Sequence, residues 1–170
     1  GLLYVSKNMK KSLEGLDPSE VKEMIKVGKY IIGFEDKVSN IENVKSIITK
    51  DKFIFLGALN EKIGEIDIKS ITNIILEDKT TIHQRLTATR ILALGIFSLA
   101  APKVKKYKEY CIAIEWEDND FEIQNLVFEF TGLQSKENSQ LSYNSLKKYL
   151  PKQNKKCPFC AETIKRAAIV

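Results

Sequence analysis

Residues 44–78, VKSIITKDKFIFLGALNEKIGEIDIKSITNIILED, decide the fold. Their apolar positions, among them Ile47, Ile48, Phe53, Ile54, Phe55, Ile63, Ile66, Ile68, Ile71, Ile74 and Ile75, carry β-branched or aromatic side chains that fit a pleated, half-buried surface. The interruptions at Lys50-Asp51, over residues 57–62 and at Lys69-Ser70 have the length of hairpin turns. The stretch therefore predicts strands over 44–49, 52–56, 62–68 and 71–77, with no helix between them.

The chain on both sides extends this pattern. Downstream, Tyr110, Ile112, Ile114 and Trp116 alternate with Cys111, Ala113 and Glu115 as a further strand, residues 117–120 turn, and 123–130 form the last strand. The parity of apolar positions shifts between Ile123 and Leu126, which predicts a bulge near Asn125. Upstream, residues 29–35 read as the first strand. Before it, Asp17-Pro18-Ser19-Glu20 is a helix-start signal, with Val21, Met24 and Ile25 on one helical face and Gly28 as the stop. Between the fifth and sixth strands, Ile82, Leu86, Thr89, Ala93 and Phe97 have helical spacing, but Gly95 and Pro102 break it, so residues 80–106 are expected to be a short helix or looped insertion. Leu141, Leu146, Tyr149 and Leu150 fall on one side of a closing helix that Pro151 ends.

The hairpin I-I-T-K-D-K-F-I-F-L-G, residues 47–57, followed by G-E-I-D-I-K-S-I-T-N-I, residues 64–74, resembles the bacterial pleckstrin-homology-like (PH-like) domains. In these a T-x-x-R/K turn joins two strands and an I-x-x-I-x-x-I element leads into the next; Lys52 stands where Arg is common. The resemblance covers about residues 28–150. It implies a mainly β fold: two roughly orthogonal sheets curled into a partly open seven-stranded barrel, with a C-terminal helix capping one end.

A more specific chemical signal is Cys157-Pro158-Phe159-Cys160. Two thiolates separated by two residues can grip one Zn²⁺ from a tight turn, and a structural site then needs two more ligands. The stretch C-P-F-C-A-E-T-I-K-R-A-A-I-V resembles the first half of a small zinc ribbon of the C-P-x-C-A-E-x-I-K type. That resemblance implies Zn as cofactor with Cys157 and Cys160 as metal ligands, in a site these residues leave incomplete. The competing readings are a redox pair or an idle thiol pair, and no thioredoxin-like βαβ pattern precedes the motif. Three cysteines make no disulfide framework, which points to a reducing, cytoplasmic location.

Other chemistry finds little footing. His83 is the only histidine, no Ser–His–Asp or Cys–His pairing can be argued from spacing, and neither a G-x-x-x-x-G-K-[ST] nor a G-x-G-x-x-G occurs. Glu115, Glu117, Asp118, Asp120 and Glu122 crowd one turn without the D-x-D-x-D-G loop of a calcium site, so they read as exposed hairpin acids. The longest apolar run, 91–101, falls short of the roughly 18 residues of a membrane span.

The net charge of +5 belongs to the ends: residues 34–132 carry thirteen basic and sixteen acidic residues, and 133–170 carry eight basic and two acidic. Lys103, Lys105, Lys106 and Lys108 follow the apolar run, and Lys155 and Lys156 precede the cysteines. These lysines are candidates for binding an anionic partner, with solvated lysine as the plainer reading.

The sequence thus divides into a tail (1–16), a PH-like domain with an N-terminal helix (17–150), a Lys-rich linker (151–156) and a partial zinc ribbon (157–170). The expected function is a non-enzymatic scaffold for protein–protein interaction. The alternative is an anionic-surface binder, for phospholipid headgroup or nucleic acid, acting through the Lys-rich ends.

Overall fold

The computed structural model describes residues 15–35, 37, 40–86 and 107–152, together with the backbone of 154–156 and 163–165. Seven strands, β1 (Glu23–Ile32), β2 (Ile41–Ile48), β3 (Lys52–Leu56), β4 (Lys62–Asp67), β5 (Ile71–Asp78), β6 (Tyr110–Glu117) and β7 (Ile123–Phe130), form one sheet. All its pairings are antiparallel, in the order β4-β3-β2-β1-β7-β6-β5. Two meanders, β1 to β4 and β5 to β7, are thus joined through β1 and β7.

This order forces curvature. The two edge strands, β4 and β5, are linked only by the 3-10 turn Ile68–Ser70. Seven flat strands would place their edges about 29 Å apart, whereas the chain from Asp67 to Ile71 spans at most about 14 Å. The sheet therefore curls until its edges approach at that corner. One buried cluster accordingly draws on both meanders, with Ile25, Phe53 and Ile66 from the first and Ile74, Ile114 and Phe128 from the second. At its centre Phe55 lies 5.1 Å from Phe128 between ring centroids.

Helix α1 (Lys79–Leu86) follows β5, and α2 (Ser135–Lys147) packs against β1, β5, β6 and β7. A short pair, β8 (Asn154–Lys156) and β9 (Thr163–Lys165), stands as a separate two-stranded sheet. Among the described residues, no helix is long and apolar enough to cross a membrane.

The strand assignments over 44–78 hold within two or three residues, but other expectations need correction: the seven strands form one sheet rather than two, and the first strand is Glu23–Ile32 rather than 29–35. The N-terminal helix is absent: Asp17 caps only the 3-10 turn Pro18–Glu20, accepting the Ser19 N–H at 2.9 Å, and β1 begins at Glu23. The capping signal is local and worth one turn. Beyond it, Ile25 and Val27 are buried while the alternate Lys26 is exposed, and pairing with β2 outweighs helix propensity. Gly28, the expected helix stop, is instead an irregularity inside β1 with φ of 83°.

The bulge near Asn125 is also absent, since β6 and β7 pair without a register shift from Tyr110↔Phe130 to Glu117↔Ile123. Every residue from 125 to 130 is buried because β7 is covered on both faces. Leu126, Phe128 and Phe130 join the main cluster, while Val127 packs with Ile31, Ile82, Cys111 and Ala113. Double burial, not a bulge, breaks the apolar alternation.

On α2, Leu141 is 66% exposed rather than facing the core. The buried face is Ser135, Ser139, Ser142 and Leu146, and Tyr149 and Leu150 pack against the core beyond the helix end. Small serines let the helix lie close to the sheet, where Ser135 Oγ donates to the Lys108 carbonyl at 2.7 Å and Ser142 Oγ to that of Lys26. Hydroxyls thus satisfy carbonyls that the packing removes from water.

Candidate functional site

The residues that sequence chemistry singled out are mostly beyond description. Cys157, Cys160, Lys103, Lys105 and Lys106 lie outside the described residues, and Lys155 and Lys156 are described only as backbone of β8. The register Lys156↔Thr163 places C-x-x-C in the connection between β8 and β9. Lys108 is exposed, beside Asp78, whose carboxyl its charge helps to hold below the usual range after the larger effect of the Thr81 N–H.

His83 lies on α1. In the acidic turn, Asp118 Oδ1 accepts from the N–H groups of Asp120 and Glu122 at 2.9 Å and Oδ2 accepts from Gln124 Nε2 at 2.8 Å, so this carboxylate organises the turn. Among the described residues no group of three or more His, Cys, Asp or Glu is placed to hold a metal ion.

What the fold does build is a groove of about 780 Å³ between α2 and the β1–β2 pair. It opens because β1 leaves regular pairing twice, between Lys26 and Gly28 and between Gly28 and Tyr30, while Asn43 on β2 takes a left-handed φ of 53°. Asn tolerates that conformation better than most side chains, and Gly28 needs no Cβ where one would meet the Glu129 carbonyl oxygen at 2.5 Å. Helix α2 forms the opposite wall with Asn138, Leu141, Ser142 and Ser145.

The groove is lined by both signs of charge, Glu23 and Glu42 against Lys26, Lys29 and Lys45, while Glu129 borders it at its backbone beside Gly28. Lys29 Nζ lies 3.5 Å from Glu42 Oε1. The Tyr149 hydroxyl and the Lys148 ammonium, 2.9 Å away, hold the Glu23 carboxyl below its ordinary range, so this wall stays anionic. Met24, 41% exposed, and Leu141 add apolar surface. Its size is that of a ligand or peptide site.

Glu129 is buried, and Lys79 answers it. Lys79 Nζ lies 2.9 Å from Glu129 Oε2 and 3.1 Å from Glu109 Oε2. Burial pulls the lysine's pKa down, but these hydrogen bonds and charges outweigh it and leave the ammonium above its usual value. The same residue closes the base of the excursion between β5 and β6, because Lys79 N–H donates to the Glu109 carbonyl at 2.9 Å. Cys111, opposite Glu129 in the ladder, is buried and its thiol is pushed up to about 12, first by desolvation and then by the Glu129 charge. It is an inert packing residue.

Sequence reasoning missed the groove and the Glu129 cluster. Glu129 had a signal: an acid between Phe128 and Phe130 in a strand buried on both faces needs a cationic partner. The groove had none, because it arises from strand irregularities and from where α2 is seated. No family model matches the chain, and no curated protein is significantly similar to it.

Proposed function

We propose that the chain is a PH-like, non-enzymatic binding module that seats a segment of a protein partner in the groove beside α2. The observation carrying this reading is the groove's composition: Glu23 and Glu42 interspersed with Lys26, Lys29, Lys45, Met24 and Leu141. An anionic headgroup or phosphate backbone would meet Glu23 and Glu42 there, whereas a polypeptide segment can answer both signs and still bury apolar surface. The PH-like assignment is supported by two meanders joined through β1 and β7, by the three-residue corner that curls the sheet, and by α2 packed after the last strand.

The test is comparative capture with the full chain. Leu141→Asp is expected to weaken recovery of a specific protein partner at least tenfold, while Leu133→Asp, 69% exposed but outside the groove lining, leaves it unchanged. Equal behaviour of the two variants would remove the groove from the reading. Binding to anionic vesicles or single-stranded oligonucleotide that falls steeply with salt would replace it with the anionic-surface function.

The second part of the proposal is that Cys157 and Cys160 hold zinc. Their place between β8 and β9 suits a paired-thiolate turn, and two thiolates fill half of a tetrahedral shell. A second copy or a further segment of chain would complete it, so elemental analysis of protein purified without chelator should find zinc that is lost in the Cys157→Ser/Cys160→Ser variant. Absence of zinc at micromolar protein would leave an ordinary thiol pair.

A further inference from the structure

The wall of the groove that faces α2 is an open strand edge. Among the described residues, β7 pairs with β1 only from Lys29↔Glu129 onward and ends at Phe130, so residues 23–26 pair with β2 alone. The Lys26 carbonyl faces the unpaired side, because it accepts from Ser142 Oγ of α2. Backbone groups alternate sides along a strand, so the N–H and C=O of Met24 face it as well, together with the Lys26 N–H. Helix α2 and the residues after it reach this edge at Lys26, through Ser142, and at Glu23, through the Tyr149 hydroxyl. Elsewhere the groove separates helix from strand. A row of unpaired N–H and C=O groups is a template for one more strand.

The side chains on this edge specify what would pair with it. Lys26 lies directly opposite Lys45 in the β1–β2 ladder, and both line the groove. Like charges so placed repel. Lys29 is answered by Glu42 at 3.5 Å, whereas neither Lys26 nor Lys45 has an ion pair among the described residues. Met24, two residues before Lys26 and on the same face of β1, is exposed. A strand laid along this edge therefore meets unanswered positive charge at one position and exposed apolar surface two positions away.

From this geometry we propose that the groove takes its occupant by strand addition. An extended segment of a protein partner pairs antiparallel with residues 23–26 of β1, placing an acidic side chain opposite Lys26 and an apolar one two residues later, opposite Met24. The inference rests on the groove being the binding site, and adds the conformation and sequence class of the segment it binds. The direction follows from the sheet, since β7 runs antiparallel to β1 as far as Phe130 and the segment continues its line. The open edge is about 13 Å long, which a pentapeptide spans.

The fluorescein-labelled peptide TEVLT, titrated with the full chain and followed by anisotropy, is expected to bind saturably, and TKVLT about tenfold more weakly. Lys26→Glu should remove that preference, because the acid is read by charge. N-methylation of the peptide's leucine nitrogen, which faces Met24, should cost about tenfold, whereas N-methylation of its valine nitrogen, which faces away from β1, should cost little. Affinity that ignores the position of the methyl group, or a lysine peptide equal to the acidic one, would overturn strand addition. So would the lack of saturable binding by either peptide, and the groove would then stand or fall on the Leu141→Asp comparison alone.

Discussion

Gly28→Ala is expected to lower the thermal midpoint by roughly 10 °C. Two costs add. At φ of 83° an L side chain is strained by about 1–2 kcal/mol. The added Cβ would also sit 2.5 Å from the Glu129 carbonyl oxygen and 3.3 Å from its carbon, which are backbone atoms of β7 and cannot swing aside. Relief requires β1 and β7 to separate where the two meanders are joined, so the total should reach about 2–4 kcal/mol. Thermal unfolding followed by circular dichroism checks this. Gly132→Ala is the control: its φ of 88° carries the same strain, but nothing lies within 4 Å of the added Cβ. If both variants lose the same stability, the close approach of β1 to β7 contributes nothing.

Leu146→Ala should cost about 3 kcal/mol, and Leu141→Ala less than about 0.5 kcal/mol. Both leucines look alike in the sequence pattern, but Leu146 is fully buried in the main cluster while Leu141 faces the groove and solvent. Leu146 is also the only large side chain of α2 that is fully buried, the other buried members being serines, with Tyr143 packed against the core partly exposed. Its removal leaves a cavity that they cannot fill, and the helix loosens from β1. Urea unfolding should show a lowered midpoint with an unchanged slope, and the groove should lose partner binding together with its α2 wall. Similar losses from the two substitutions would mean that α2 is seated differently.

The strands were legible because alternation and β-branched residues are a direct imprint of a pleated surface, and residues 44–78 carried that imprint with breaks only of turn length. Gly28 was misread because glycine marks both a helix end and a strand irregularity; which one applies depends on the Glu129 carbonyl, 101 positions away in the chain. The serine face of α2 was invisible to a search for apolar periodicity, since its contribution is closeness and hydroxyl donation rather than transfer from water. The groove followed from neither, because a concavity is made by what three segments leave unfilled. The lysines and cysteines chosen for their chemistry told of reactivity in isolation, and the geometry of a site depends on residues whose types are ordinary.

The contact of Glu23 with Tyr149 and Lys148 has a further consequence. Glu23 opens β1 and lines the groove, while Tyr149 and Lys148 follow α2, so the chain leaves the folded body at the rim of the cleft. On the proposed function, whatever follows residue 150 would be tethered there, and its lysines and thiols would meet a seated partner at an effective concentration set by a few residues of chain rather than by diffusion. For short tethers that concentration is of millimolar order. Two contacts too weak to persist separately would then hold together, and on that proposal severing the chain after Leu150 would weaken binding while leaving every groove contact in place.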